Sequence, residues 1–371
     1  MIADFSRRAF LAGGAGAGLA APPKLQYRTL GRTGLKVTTL GFGTMLVSDA
    51  AVVERAADIG INFFDTARSY QSGNNERMVG AALKGKRQKI VLCSKSGGRT
   101  KQEVLRHLDT SLKEIGTDYL DIWYLHARSK PEEITDELLE AQSVAKKAGK
   151  IRFAGVSTHL NMREFIPWVV QRGQTDVMLT TYNFTTPYVS EAIETATRAG
   201  VGIVSMKVMA GGYARIKKGD RLYGSDPNAL FNRLQGKGGM LAALKWTLKN
   251  TAVSTAIIGM TDFDELDENL KAMSEPFGKE DAALLARQTE FLGPLYCRMC
   301  GSCSCPKGVA VPDTLRCLTY SEGYGEFALA RSRYIELPQG VRCIDCHSCA
   351  VKCPNGVRVR ERLIQAQELL A

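Results

Sequence analysis

Eight short apolar runs, each followed by a helical pattern, recur at even spacing between residues 37 and 273. Parallel strands buried on both faces read as nearly continuous apolar, β-branched runs, and each pair needs a crossover long enough to hold a helix. The runs are V-T-T-L-G-F-G (37–43), I-N-F-F-D-T (61–66), K-I-V-L-C-S-K (89–95) and L-D-I-W-Y-L-H (120–126). They continue with R-F-A-G-V-S (152–157), D-V-M-L-T-T (176–181), G-I-V-S-M-K (202–207) and V-S-T-A-I-I-G (253–259). The stretch 131–148 illustrates the helices, with Pro131 at its start, Glu132 and Glu133 in the first turn, and Lys146 and Lys147 in the last turn before Gly149. Eight βα units in about 250 residues predict an α/β chain whose body is a (β/α)8 TIM barrel. Ahead of them, Y-R-T-L-G-R-T-G-L-K (27–36) reads as a hairpin turning at Arg32 to Gly34, suited to plugging the barrel bottom. A basic, glycine-rich loop at 210–239, after the seventh run, is a candidate cover for the mouth or a simple insertion.

The carboxyl-terminal part has a different character. Nine of the ten cysteines fall after residue 296, eight of them in C-R-M-C-G-S-C-S-C-P (297–306) and C-I-D-C-H-S-C-A-V-K-C-P (343–354). The second run is C-x2-C-x2-C-x3-C-P, the ferredoxin spacing for a 4Fe-4S cluster, in which the fourth cysteine of one run serves the other cluster. By that rule Cys297, Cys300, Cys303 and Cys353 form one set, and Cys343, Cys346, Cys349 and Cys305 the other. Only one residue separates Cys303 from Cys305, so two clusters or one remain open, as does tetrathiolate zinc; a disulfide framework belongs to shorter secreted chains. The expected division is a barrel over 25–292 and a ferredoxin-like iron-sulfur domain over 293–371. Cys93 lies inside the third strand as a small core residue, and Cys317 has no partner spacing.

The amino terminus, S-R-R-A-F-L at 6–11 followed by small apolar residues to Ala21, has the pattern of a twin-arginine export signal. Its apolar stretch is too short to span a bilayer. Removal of residues 1–21 and a periplasmic location are therefore expected, with no transmembrane segment in the mature chain. Export of a folded protein suits clusters assembled beforehand in a reducing compartment. The net charge of +11 is spread along 371 residues and accompanies no nucleic-acid-binding signature, so it reads as solvated surface, with attraction to an acidic partner.

Reactive residues of such barrels sit where strands end. Asp65 ends the second predicted strand, Tyr70 follows in D-T-A-R-S-Y, Lys95 ends the third and His126 the fourth. In this order and at these strand ends the chain resembles the aldo/keto reductase family over about residues 25–273, and more particularly its group with ferredoxin-like tails. The resemblance implies catalysis by Asp65, Tyr70, Lys95 and His126, with a carbonyl or alcohol as substrate. A free tyrosine, with pKa about 10, donates poorly near neutrality, so Lys95 is expected to lower it, Asp65 to keep Lys95 charged, and His126 to place the carbonyl oxygen.

The resemblance also implies a nicotinamide dinucleotide over the mouth, held by Ser157, Lys207, Gly259 and Asn269. Thr158, Leu179 and Met206 stand where the family usually has asparagine, glutamine and an aromatic ring. Asp262 and Asp264 replace the basic residues that grip a 2′-phosphate, which favours NAD over NADP. Direct exchange between a hydride carrier and a one-electron cluster is chemically awkward, so a redox partner protein, or a flavin for which no motif is legible, would bridge them, unless the clusters are structural and tie the tail across the barrel. An electron-transfer protein using the barrel as scaffold, and an eliminase or isomerase reusing Tyr70 and Lys95, are the alternatives.

Overall fold

The structure, a computed structural model, describes residues 24–213, 238–337, 343, 346 and 348–371. The export-signal region, positions 214–237 of the candidate cover loop and His347 lie outside the described residues.

The hairpin pairs β1 (Tyr27–Thr29) with β2 (Lys36–Thr38) antiparallel, and Gly34 takes φ of 71° in its turn. The barrel strands are β3 (Leu40–Gly43), β4 (Phe63–Asp65), β5 (Val91–Ser96), β6 (Leu120–Leu125), β7 (Ile151–Thr158), β8 (Val177–Thr181), β9 (Gly202–Met206) and β10 (Thr255–Ile258). They pair in parallel in chain order, and β10 closes on both β9 and β3. The first predicted strand divides in two, because residues 36–38 pair with the hairpin and only 40–43 enter the barrel.

Leu30 is fully buried with Phe63, Ile122, Tyr124, Leu179 and Val204, side chains of the barrel interior, so the hairpin does close the bottom. Gly31 is required there, since a Cβ would lie 2.3 Å from the backbone nitrogen of Gly202, the first residue of β9. Arg28 fastens the hairpin by donating to the carbonyls of Leu248, Asn250 and Val253 at 2.7, 3.1 and 2.6 Å.

The surrounding helices are α1 (Ala50–Ile59), α2 (Asn74–Ala82), α3 (Lys101–Ile115), α4 (Asp136–Lys147), α5 (Met162–Gln171), α6 (Ser190–Arg198), α7 (Gly239–Lys249), α8 (Phe263–Leu270) and α9 (Lys279–Leu292). Helix α4 begins later than the sequence suggests. Pro131–Glu133 form a separate 3-10 turn, the Glu133 carboxylate accepts from the Ser129 N–H, and Thr135 caps α4 by accepting from Leu138 N.

Beyond α9 the tail adds α10 (Val311–Glu322), α11 (Phe327–Ile335) and α12 (Val359–Leu370). It docks on the loops that leave β7, β8 and β9, at the carboxyl face of the barrel. Asn161 N donates to Met299 O at 3.1 Å, Tyr188 Oη to Arg298 O at 2.7 Å, and Tyr213 Oη to Glu322 Oε2 at 2.7 Å. Gly211 and Gly212 permit this approach, since a Cβ on Gly212 would meet Gly323 O at 2.2 Å. Buried tail residues, among them Tyr296, Leu318, Tyr334 and Leu363, belong to the same apolar cluster as the barrel's outer layer. No helix among the described residues is long and apolar enough to cross a membrane.

Candidate active site

Three of the four strand-end residues are joined by hydrogen bonds. Lys95, 1% exposed, donates to Asp65 Oδ2 at 2.5 Å, to Thr66 O at 2.6 Å and to Tyr70 Oη at 3.3 Å. Neighbouring β4 and β5 carry Asp65 and Lys95, and pairing of Asp65 with Cys93 sets their offset. Tyr70 opens a 3-10 turn whose Gln71 and Ser72 take φ of 47° and 53°, a left-handed kink that non-glycine residues rarely adopt. His126 leaves β6 with its ring edge-on to Tyr70, centroids 6.0 Å apart at 77°, and its N–H donates to Ser96 O at 2.8 Å.

The electrostatics depart from expectation in one respect. Burial would lower the Lys95 ammonium, but Asp65 and Tyr70 outweigh it and hold it above its ordinary value. Burial pushes the Tyr70 phenol up; Lys95 pulls it down, in the expected sense, yet does not overcome burial. The resting phenol is therefore a protonated donor. His126 is held well below the usual imidazole range by burial first and then by Lys95, Arg333, Arg128 and Arg316, so it is neutral.

The residues expected at a dinucleotide lie on the same face but are not bonded to one another. Ser157 near the end of β7 accepts the Ala127 N–H at 2.8 Å, leaving its own hydrogen free to donate. Gly259 follows β10, with only ordinary van der Waals room for a Cβ. Asn269 on α8 is buried; it donates to Glu265 O at 2.7 Å, and among the described residues its Oδ1 has no donor, an open acceptor of the kind an adenine amine satisfies. These groups fit a dinucleotide. Leu179 packs inside the barrel, as an apolar residue there should. Asp262 caps α8 by accepting from Glu265 N at 2.8 Å, whereas Asp264 is exposed on the helix's first turn. Lys207 follows β9 with φ of 56°, its carbonyl fixed by Asn183 Nδ2 at 2.9 Å and its ammonium over the Tyr320 ring of the tail.

Of the two cysteine sets, the structure gathers one. Burial pushes the Cys297 thiol up to about 12, and Cys303, Cys300 and Cys353 add to the rise. Burial likewise takes Cys303 to about 11, with Cys353 and Cys300 contributing. Asn355 donates to Cys353 Sγ from its backbone at 3.4 Å and to Cys300 Sγ from its side chain at 3.5 Å. Cys300 and Cys353 thus lie near enough to Cys297 and Cys303 for their charges to bear on both. Cys305 is partly buried, as are Cys343, Cys346 and Cys349, which lie in a segment whose positions 344, 345 and 347 are outside the described residues. None of the ten cysteines is paired in a disulfide in the structure. Among the described residues no group of three or more His, Cys, Asp or Glu is spaced for a single metal ion.

The tail supplies what the sequence pattern missed. Arg316 Nη1 lies 2.5 Å from His159 Nε2, and Tyr320, one turn further along α10, is close enough for its charge to bear on Tyr70. No local spacing announces residues that reach the mouth from 250 positions away.

A parallel eight-stranded barrel with a buried Asp-Lys pair, a phenol and a neutral imidazole at its carboxyl rim defines a barrel oxidoreductase. The sequence model of the Aldo/keto reductase family matches residues 39–289, and the chain belongs to that family. It is 28% identical over 284 residues to an L-galactose dehydrogenase of Arabidopsis thaliana, covering 68% of this chain and 89% of the relative. It is 26% identical over 313 residues to an L-glyceraldehyde 3-phosphate reductase of Escherichia coli K12, covering 68% and 88%. Among solved structures, the holo form of an aldo-keto reductase from Bacillus halodurans superposes with a TM-score of 0.61 at 26% identity, covering 71% and 96%. The chain is an oxidoreductase, and the family's members are NAD(P)-dependent.

Proposed function

We propose that the protein reduces a carbonyl compound, or oxidises the corresponding alcohol, with Tyr70 as proton donor and acceptor. The observation that carries this reading is the unbroken chain Asp65–Lys95–Tyr70, with its single phenol beside a neutral His126. Ser157, Gly259 and Asn269 would hold NAD(P), which when bound supplies or takes the hydride. The carbonyl oxygen lies between Tyr70 Oη and the His126 ring, whose neutral state lets an N–H donate. As negative charge grows on that oxygen, the Tyr70 proton moves to it, and Lys95 steadies the phenolate left behind. Asp65 keeps Lys95 charged and directed. Because burial keeps Tyr70 protonated at neutral pH, reduction is the direction for which the resting site is set. Asp264, and Asp262 less directly, favour NAD, since a carboxylate repels a 2′-phosphate.

The same proposal includes an iron-sulfur tail over 293–371. Cys297, Cys300, Cys303 and Cys353 would hold a 4Fe-4S cluster; Cys343, Cys346, Cys349 and Cys305 would hold the second by the same spacing rule. Bound there, a cluster passes single electrons, which calls for a redox partner protein. One metal ion would bring its sulfurs to about 3.8 Å from one another, from Zn–S bonds of about 2.3 Å. A cubane holds them at wider corners, so the lack of a single-ion geometry does not weigh against it. Residues 1–21 would direct export of the folded protein through the twin-arginine route to the periplasm.

Anaerobically purified native protein tests these points together. Iron and sulfide per chain, the mature amino terminus and any released dinucleotide are measured, followed by carbonyl reduction by the wild type and Tyr70→Phe. Turnover that survives Tyr70→Phe would remove the catalytic assignment, and protein without iron or sulfide would remove the tail's.

A further inference from the structure

The mouth of the barrel is walled on one side by the tail, and that wall is basic. Arg316 and Tyr320 are four residues apart on α10 and share a face. Arg316 bridges His159, at 2.5 Å, and Asp313, at 2.8 Å. Lys207, assigned to the cofactor by the family resemblance, stands with its ammonium 5.4 Å from the Tyr320 ring centre. Among the described residues that ammonium has no hydrogen-bond or ion-pair partner, although Lys207 is largely shielded from water. An interior cation is ordinarily paired. Burial and then the charge of Arg316 hold it down at about 7, as expected for cations that face each other with no anion between them.

Positive charge continues across the mouth. Among the described residues Arg128, 1% exposed, has one side-chain hydrogen bond, to Gly98 O at 2.5 Å, and its Nε is unpartnered. Four cations, Lys95, Arg333, Arg128 and Arg316, act on His126, and among them Lys95 is neutralised by Asp65. Glu336 and Asp313 engage Arg333 and Arg316 from the tail's outer side, where both carboxylates are themselves partly exposed.

We propose that the substrate is an anion as well as a carbonyl compound, its carbonyl at Tyr70 and His126 and its carboxylate or phosphate between Lys207 and Arg316. This rests on the carbonyl reading of Tyr70. The family's strand ends supply the chemistry, and the tail supplies the charge selection. The tail is then a specificity element as well as a cysteine carrier.

Paired compounds test it in the full-length protein with its bound cofactors: succinate semialdehyde against butanal, and glyceraldehyde 3-phosphate against glyceraldehyde. At least one charged member should exceed its neutral twin in kcat/KM by about tenfold or more, and which one identifies carboxylate or phosphate as the anion. Arg316→Gln should raise KM for that member about tenfold, with kcat and the neutral twin little changed, and Arg316→Lys should recover most of the loss. Calorimetric titration with butyrate and inorganic phosphate supplies a readout free of turnover, and the favoured anion should bind wild type and fail to bind Arg316→Gln. Turnover with no charge preference overturns this proposal and leaves the carbonyl reading standing; absence of all turnover together with absence of anion binding overturns both. Equal losses on both twins, or weaker NAD(P) binding at unchanged KM ratio, would assign Arg316 to folding or to the dinucleotide and overturn it as well.

Discussion

The barrel and the tail build their sites by opposite means. In the barrel, Asp65 and Lys95 stand on adjacent hydrogen-bonded strands, so backbone pairing brings their side chains to 2.5 Å. In the tail, Cys297, Cys300 and Cys303 lie in a stretch without helix or strand between α9 and α10, and Cys353 comes from another loop before α12. The barrel site is preorganised by its scaffold. The cysteines are held by loops alone, and in the proposed reading a bound cluster would define their arrangement. Chemistry that depends on geometry has been placed on regular structure, and chemistry that brings its own geometry on loops.

That contrast can be attacked directly. Tyr70→Phe should lower carbonyl reduction by about 100- to 10,000-fold and leave iron content and thermal unfolding unchanged, as steady-state rates and iron assay would reveal. A loss of iron in this variant would mean that the two sites are not separately built. Glu322→Gln comes next. Glu322 accepts from Arg362 at 2.8 and 2.6 Å, from Tyr213 at 2.7 Å and from Gln365 at 2.9 Å, tying α10 and α12 to the loop after β9. Leaving Arg362 buried without its counter-charge should cost about 3–5 kcal/mol, read by denaturant titration, with proteolysis starting in the tail.

A smaller effect concerns pH. Burial, followed by nearby cations, holds both His126 and His159 well below the ordinary imidazole value. Depressed folded values mean that stability is fully present above about pH 6.5 and is lost as pH falls further, by about 1 kcal/mol between pH 6.5 and 5.5 for each group. Urea midpoints across that range check it, and a flat profile would contradict the neutral imidazoles. The raised Tyr70 has the opposite sense: its proton is retained as pH rises to about 10, so the reduction rate should show no Tyr70-dependent loss below that point. Smallest of all, Thr135→Ala removes the cap of α4, far from both sites, and should cost about 1 kcal/mol with rates and iron unaltered.

The barrel was legible in the sequence because a strand buried on both faces needs an apolar run, and each parallel return needs a helix. Strand ends came out within about two residues, and Asp65, Tyr70, Lys95 and His126 follow from the rule that loops shaping the pocket begin there. The start of α4 was misread because Pro131 and two glutamates also suit a 3-10 turn; the capping hydroxyl of Thr135 decides the matter. Asp262 carries a charge that reads as cofactor selection and turns out to serve a helix cap as well. The direction of the Tyr70 shift was missed, since charge pairing is visible in a residue list while desolvation is a property of surrounding volume.

Periodicity and spacing by themselves settled the barrel, its bottom plug, the order of the reacting groups and the division of cysteines into two runs, because each is a local pattern imposed by hydrogen-bond geometry. Only the folded chain decided that α10 would bring Arg316 and Tyr320 to the rim beside Lys207. Those meetings join segments far apart in sequence, and which surfaces face each other there depends on how the apolar faces of the tail and the barrel pack together.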